Sequence, residues 1–139
     1  MKLYNSLKSL ILEATNRVDI EKAIKGRNVV SIYYAGDTTL NPGWRTIEPV
    51  CDGMSRTKVG TGNLVVRAWQ RDGATDRPRT MPGWRLFRAD RISSWTPTLE
   101  TFEEPRPNFN PTGDKTLRNN KCFVIADFKT QLETPETIV

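Results

Sequence analysis

The chain contains no histidine. That removes His general bases, Ser–His and Cys–His nucleophile pairs, and imidazole metal ligands. It has two cysteines, Cys51 and Cys122, far apart in sequence. Two alone do not make a disulfide framework, which points to a reducing compartment. Cys51, next to Asp52, has no basic partner to activate it as a nucleophile. No apolar run approaches membrane-spanning length and the N-terminal stretch has no signal-type apolar core, so the expected location is the cytoplasm, away from membranes. Hydrophobic residues make up 37 % of 139 positions, little for a soluble domain. One compact core with long loops is expected, at a length that folds as a single domain. Paired carboxylates give no catalytic constellation: Glu103-Glu104 lies among prolines, and Asp72 and Asp76 lie among Arg71, Arg77 and Arg79. No Gly-rich phosphate loop of known spacing occurs. We therefore expect no enzyme, no catalytic residue, no cofactor and no metal site.

What the chain does have is arginine, unevenly placed. The net charge is +5, and residues 45–96 alone carry ten bases against five acids, nine of the bases being Arg. Residues 1–44 carry +2 and residues 97–139 carry −2. Arg presents a planar fork to phosphate, whereas Lys would serve solubility equally well. A solvated basic face is the competing explanation. The densest stretch is Trp84 to Trp95, with Arg85, Arg88 and Arg91 between two tryptophans. Two short strands joined at Ala89-Asp90 would put aromatic and cationic groups on one surface, which suits a flat anion such as a nucleotide or a single nucleic-acid strand.

Periodicity predicts a mainly β chain. Residues 3–14 read as an amphipathic helix, and Asp19 can cap a short second helix with Ile20, Ala23 and Ile24 inward and Gly26 as its stop. Together these helices are too short for a winged helix-turn-helix. Strands are expected over Asn28–Tyr34, Trp44–Val50 (ended by Pro49), Asn63–Trp69, Trp84–Arg88 and Arg91–Trp95. Five short strands after a helical prefix suggest a small SH3-like barrel. The expected organisation is N-terminal helices over 1–27, the barrel over 28–96, and a proline-rich linker with a last strand over 97–139. Thr96–Asp114 reads as extended and poorly packed, and Lys121–Phe128 as a strand added to the chain's own barrel edge or to that of a second copy.

The order of pieces from Ile20 to Trp95 resembles the WYL domain, an SH3-like (Sm-like) barrel. Asp19–Ile24 precedes Val29–Tyr34 as the family's short helix precedes its first strand. Arg45-Thr46-Ile47-Glu48-Pro49 resembles its Arg-x-Ile/Val-x-Pro strand, and Phe87-Arg88-Ala89-Asp90-Arg91-Ile92 its Phe-Arg-Leu-Asp-Arg-Ile signature. Leu64-Val65-Val66 stands where the name-giving Trp-Tyr-Leu normally lies. The chain also lacks the helix-turn-helix that most relatives carry, and so is similar to stand-alone phage members, which would place it in a host cytoplasm. The resemblance implies a non-enzymatic regulatory module that senses a ligand, either a single nucleic-acid strand or a nucleotide-like anion. It implies a ligand-facing set of Tyr33 or Tyr34 with Arg45, Arg67, Arg88 and Arg91.

For these residues the bland roles are definite. Tyr33 and Tyr34 are adjacent and point to opposite faces of a strand, so one belongs to the core and one is free to stack. Asp90 can hold either Arg88 or Arg91 in a forked ion pair. Arg45 and Arg67 must face solvent or line a polar pocket, since an unpaired inward Arg is costly. Trp69, Trp84 and Trp95 suit a small core, and Trp44 can cap the barrel end. The alternative function is a protein-interaction or assembly module, a homodimer or a complex with a host protein, using the barrel edge and the C-terminal strand.

Overall fold

The computed structural model describes residues 17–35, 41–57, 60, 62–76 and 81–128. The expected helix over 3–14 lies outside them. Residues 17–26 form a helix, α1. Ile20, Ala23 and Ile24 are buried on one side of it, at the spacing that aligns a helix face. Asp19 therefore sits inside the helix and does not cap it. The stop also differs from expectation: Arg27, not Gly26, takes the left-handed conformation, with φ 52°. That conformation costs a non-glycine residue about 1 kcal/mol. It is offset by ties at the same residue: the Arg27 carbonyl accepts from Phe102 N at 2.9 Å, and its guanidinium donates to the Asp127 carbonyl at 2.8 Å.

Five antiparallel strands follow, β1 (Asn28–Tyr34), β2 (Gly43–Met54), β3 (Leu64–Gly73), β4 (Gly83–Arg88) and β5 (Ile92–Thr101). The sheet order is β4-β3-β2-β1-β5. β4 and β5 stand at opposite ends of that order, yet only the three-residue 3-10 turn Ala89–Arg91 separates them in sequence. The sheet must therefore curl until its end strands approach. No ladder joins β4 to β5 among the described residues, so the two strands that meet at Ala89–Arg91 are not neighbours in the sheet. The fold is mainly β, as expected.

Val30, Ile32 and Tyr34 of β1 alternate onto the inner face, where they meet Ile47, Ala68, Phe87 and Ile92. β2 does not stop at Pro49. Its ladder to β1 ends at the Val30–Ile47 pair, so β1 asks nothing of the missing Pro49 N–H. A register shift against β3 between Pro49 and Cys51 takes up the irregularity, and the strand continues to Met54. At the other end, Gly73 adopts φ 103° and lies against the backbone of Trp44 and Arg45, where a Cβ would collide.

The tail is not a loose linker. β5 runs through Pro97 to Thr101, Phe102 is buried, and residues 105–120 fold back as turns over the sheet. Leu117 is buried, and Trp84 Nε1 donates to the Pro107 carbonyl at 2.7 Å. β6 is short, Val124–Ile125, and pairs antiparallel with Cys51 and Asp52 of the same chain. The centre of the tail's seat is Glu48, 0 % exposed. Arg106 grips its carboxylate with two bonds (Nε to Oε1 2.9 Å, Nη2 to Oε2 2.6 Å), and Arg71 adds a third at 2.6 Å while also reaching Glu100 at 2.6 Å. Burial opposes the Glu48 charge, but the two guanidinium groups outweigh it and hold the carboxyl below its usual range.

A second carboxylate, Asp52, is also fully buried. Its Oδ1 accepts from Val124 N at 3.1 Å. Its Oδ2 makes no hydrogen bond among the described residues and lies beside the Glu21 carboxylate of α1. Burial, with the Glu21 carboxylate beside it, pushes Asp52 up to about 8, while contact with Asp52 holds Glu21 down. The pair joins α1, β2 and β6.

Two outcomes follow from these carboxylates. Glu48→Gln removes the buried negative charge and sets an amide N–H group against guanidinium donors, so it should lose about 2–4 kcal/mol in urea unfolding. Arg106→Ala should lose less, because Arg106 is partly exposed and Arg71 stays on Glu48. The Glu48 contribution is present above the ordinary carboxylate range and is lost as pH falls through its depressed folded value. Asp52 has the opposite sign. Its folded value is raised, so its contribution is complete below about pH 4 and is lost as pH rises toward about 8. Asp52→Asn keeps a donor for Glu21 and an acceptor for Val124, and its urea midpoint should vary less between about pH 5 and about pH 8 than that of the wild type. Parallel midpoints for the two proteins would rule out the raised Asp52 carboxyl.

Candidate functional site

The structure does not gather Tyr33, Tyr34, Arg45, Arg67, Arg88 and Arg91 into one depression. Arg45 and Arg67 serve different faces of the sheet. Arg45, only 4 % exposed, belongs with the inner face. Its guanidinium lies 4.8 Å from the centre of the Tyr34 ring and donates to Asp76 Oδ1 at 3.0 Å and to the Asn41 carbonyl at 2.9 Å. Tyr34 is buried edge-on to Phe87 at 5.0 Å, and its hydroxyl accepts from Arg88 N at 3.0 Å. Tyr34 and Arg45 thus close one end of the core.

Arg67 reaches the tail instead, with Nε on Asp114 Oδ2 at 2.8 Å and Nη2 on Thr116 Oγ1 at 2.9 Å. Arg88 is held by Asp90 through two bonds, 3.0 and 2.6 Å. That is the forked pair the sequence allowed for one of the two arginines, and Arg88 is the one. Of the four arginines in the expected set, three are therefore paired with acids. Arg91 makes no side-chain hydrogen bond or ion pair among the described residues. Its carbonyl accepts from Ala35 N at 2.8 Å, which puts it beside the Tyr33–Tyr34 end of β1.

Tyr33 is the outward member of the tyrosine pair. Its partner across the ladder is Trp44 of β2, which meets it edge-on at 5.4 Å. Trp44 is 54 % exposed, the most open of the four tryptophans. Alternation places Ser31, Thr46, Ser94 and Thr96 on the same outward face, and the Ser94 and Thr96 hydroxyls lie 3.4 Å apart. Two aromatic faces and a row of hydroxyls form a platform that can stack a base, with the Arg91 backbone at its β1 end.

A separate cleft of about 300 Å³ opens between the sheet and the tail. Val50, Cys51, Arg67 and Trp84 form its sheet side; Phe109 and Gly113–Lys115 form much of the tail side. Cys51 and Cys122 are both free and pack in one apolar cluster with Leu117. Contact with Cys122, then burial, raises the Cys51 thiol, and the same contact lowers that of Cys122. No group of three or more metal-ligating residues occurs among the described residues.

Sequence reasoning missed Trp44 as a surface group because its Pro-Gly neighbour suggested an end cap. The register Tyr33–Trp44 could not be read before the strands were paired. It also missed Glu48 and Arg106, which are 58 positions apart. The prolines around Arg106 read as a sign of weak packing.

No protein-family model matches the chain, and no curated protein matches it. Among solved structures, the fold is similar to part of proteasome accessory factor B/C (PafBC) of Arthrobacter aurescens, with a TM-score of 0.51 and 20 % sequence identity. The match covers 68 % of this chain and 13 % of that one, and at this identity it describes the fold alone.

Proposed function

We propose that this chain is a non-enzymatic regulatory module of the WYL type, an Sm-like barrel whose Tyr33–Trp44 platform binds a single nucleic-acid strand or a nucleotide-like anion. The likeness to part of PafBC agrees with a WYL-like fold. A helix packed before five antiparallel strands in the order β4-β3-β2-β1-β5, curled so that the ends approach, supports the barrel. The observation that carries the ligand is the exposed Trp44 against Tyr33; Arg91, whose carbonyl accepts from Ala35 N, lies just beside that end of β1 and makes no side-chain ion pair among the described residues. Arg45, Arg67 and Arg88 act on this surface through their field, which their acidic partners reduce. Few direct phosphate contacts are then available, so salt dependence is shallow: about 0.7 in the log–log slope for each contact on a single strand.

Fluorescence anisotropy with short labelled single strands tests this. Trp44→Ala should cost about 1–3 kcal/mol of affinity, the worth of one stacked base. Arg91→Gln should weaken binding and flatten the salt slope by about 0.7. An unchanged affinity in Trp44→Ala, or no binding at low salt, would remove the platform from consideration.

A second reading, assembly through an edge strand, has its own observation. β5 ends the sheet order, runs for ten residues, and carries Leu99 at 102 % exposure. A long edge strand with an exposed apolar residue is a template for pairing with another chain. Sedimentation of the wild type against Leu99→Glu distinguishes it: a dimer that the substitution dissolves favours assembly, and a monomer in both excludes self-pairing there.

A further inference from the structure

The cleft beneath the tail is not used by the platform just described, and its walls are chemically specific. Arg67 is fixed in it by Asp114 and Thr116, which take Nε and Nη2, while Nη1 makes no hydrogen bond among the described residues. A guanidinium already oriented, with one nitrogen to spare, loses little freedom when it takes up an anion. Lys115, on the same wall, makes no side-chain bond or ion pair among the described residues. Burial opposes the Asp114 charge, but its bonds from Arg67 and Thr116 prevail and keep it ionised. Two cations against one carboxylate leave one net positive charge in the cleft.

The rest of the lining is flat and apolar or amide-bearing. Trp84 has its indole N–H committed to Pro107, so its ring is free only for packing. Phe109 is the other aromatic wall. The side-chain oxygen of Asn110 accepts from Thr112 N at 3.0 Å and Thr112 Oγ1 at 2.8 Å, which leaves its amide N–H groups to donate. Asn108, held at φ 68°, makes no side-chain hydrogen bond among the described residues. At about 300 Å³ the cleft lies at the small end of the range for ligand sites, about 300–1,000 Å³.

We propose that this cleft is a second binding site, for a nucleoside monophosphate, with the base against Trp84 and Phe109, an Asn amide on its polar edge, and the phosphate at Arg67 and Lys115. It rests on the preceding reading only for the class of ligand, since the residues are different. Because one wall is the sheet and the other the tail, occupancy also holds the tail down.

Isothermal titration of the full chain with adenosine monophosphate, adenosine and ribose 5-phosphate tests the site. The monophosphate should bind more tightly than either half-molecule. Lys115→Gln, an exposed position whose side chain bonds nothing among the described residues, should weaken the monophosphate about tenfold. Arg67→Gln should weaken it further, though it also loosens Asp114. Trp44→Ala should leave this titration unchanged while reducing strand binding, so the two sites fail separately. No heat with millimolar monophosphate, adenosine binding as tightly as its monophosphate, or an unaffected Lys115→Gln would each overturn the proposal.

Discussion

One buried carboxylate organises the molecule. Glu48 sits in the middle of β2 with no exposed surface, and a charge there is tolerable only with close, well-aligned cations. Arg71 comes from β3 and Arg106 from the tail, and Arg71 extends the chain of charges to Glu100 of β5. Three strands and the tail are thereby tied at one point. Arg106 also lies over the Trp69 ring, at 5.6 Å, so the tie is packed as well as charged.

The tie explains how the arginine excess is used. Much of it is internal. Arg45 closes the inner core with Asp76, Arg67 anchors Asp114, Arg88 holds Asp90, and Arg71 and Arg106 share Glu48. Arg56 reaches the tail too, through the Lys115 carbonyl at 2.6 Å and the Asn120 side chain. In a chain with modest apolar content, forked guanidinium pairs carry part of the work of holding distant segments together. A cation so committed binds phosphate only through a nitrogen its acidic partner leaves open, as Nη1 of Arg67 is among the described residues.

The tail divides the outward side of the sheet. Over β2, β3 and β4 it covers Trp69 and Trp84 and leaves a cleft; among the described residues it makes no contact with the Tyr33–Trp44 pair at the β1–β2 end. The buried Asp52 carboxyl, pushed up by burial and by Glu21 beside it, lies where α1, β2 and β6 meet, so its protonation and the seating of the tail act on the same joint.

Local sequence was enough to determine the strands and the helix face. Alternation in Asn28–Tyr34 and the spacing of Ile20, Ala23 and Ile24 are properties of neighbouring residues, and burial follows from them directly. The Arg88–Asp90 fork was legible for the same reason, since its partners are two residues apart. Only the tertiary structure decided which arginines are paired across long separations, that Pro49 passes inside a strand, that β4 and β5 lie at opposite ends of the order, and that the proline-rich tail packs. Each of these depends on which groups meet across tens of residues. An isolated Arg reads the same whether its partner is a phosphate or a distant carboxylate, and three-dimensional placement alone separates the two.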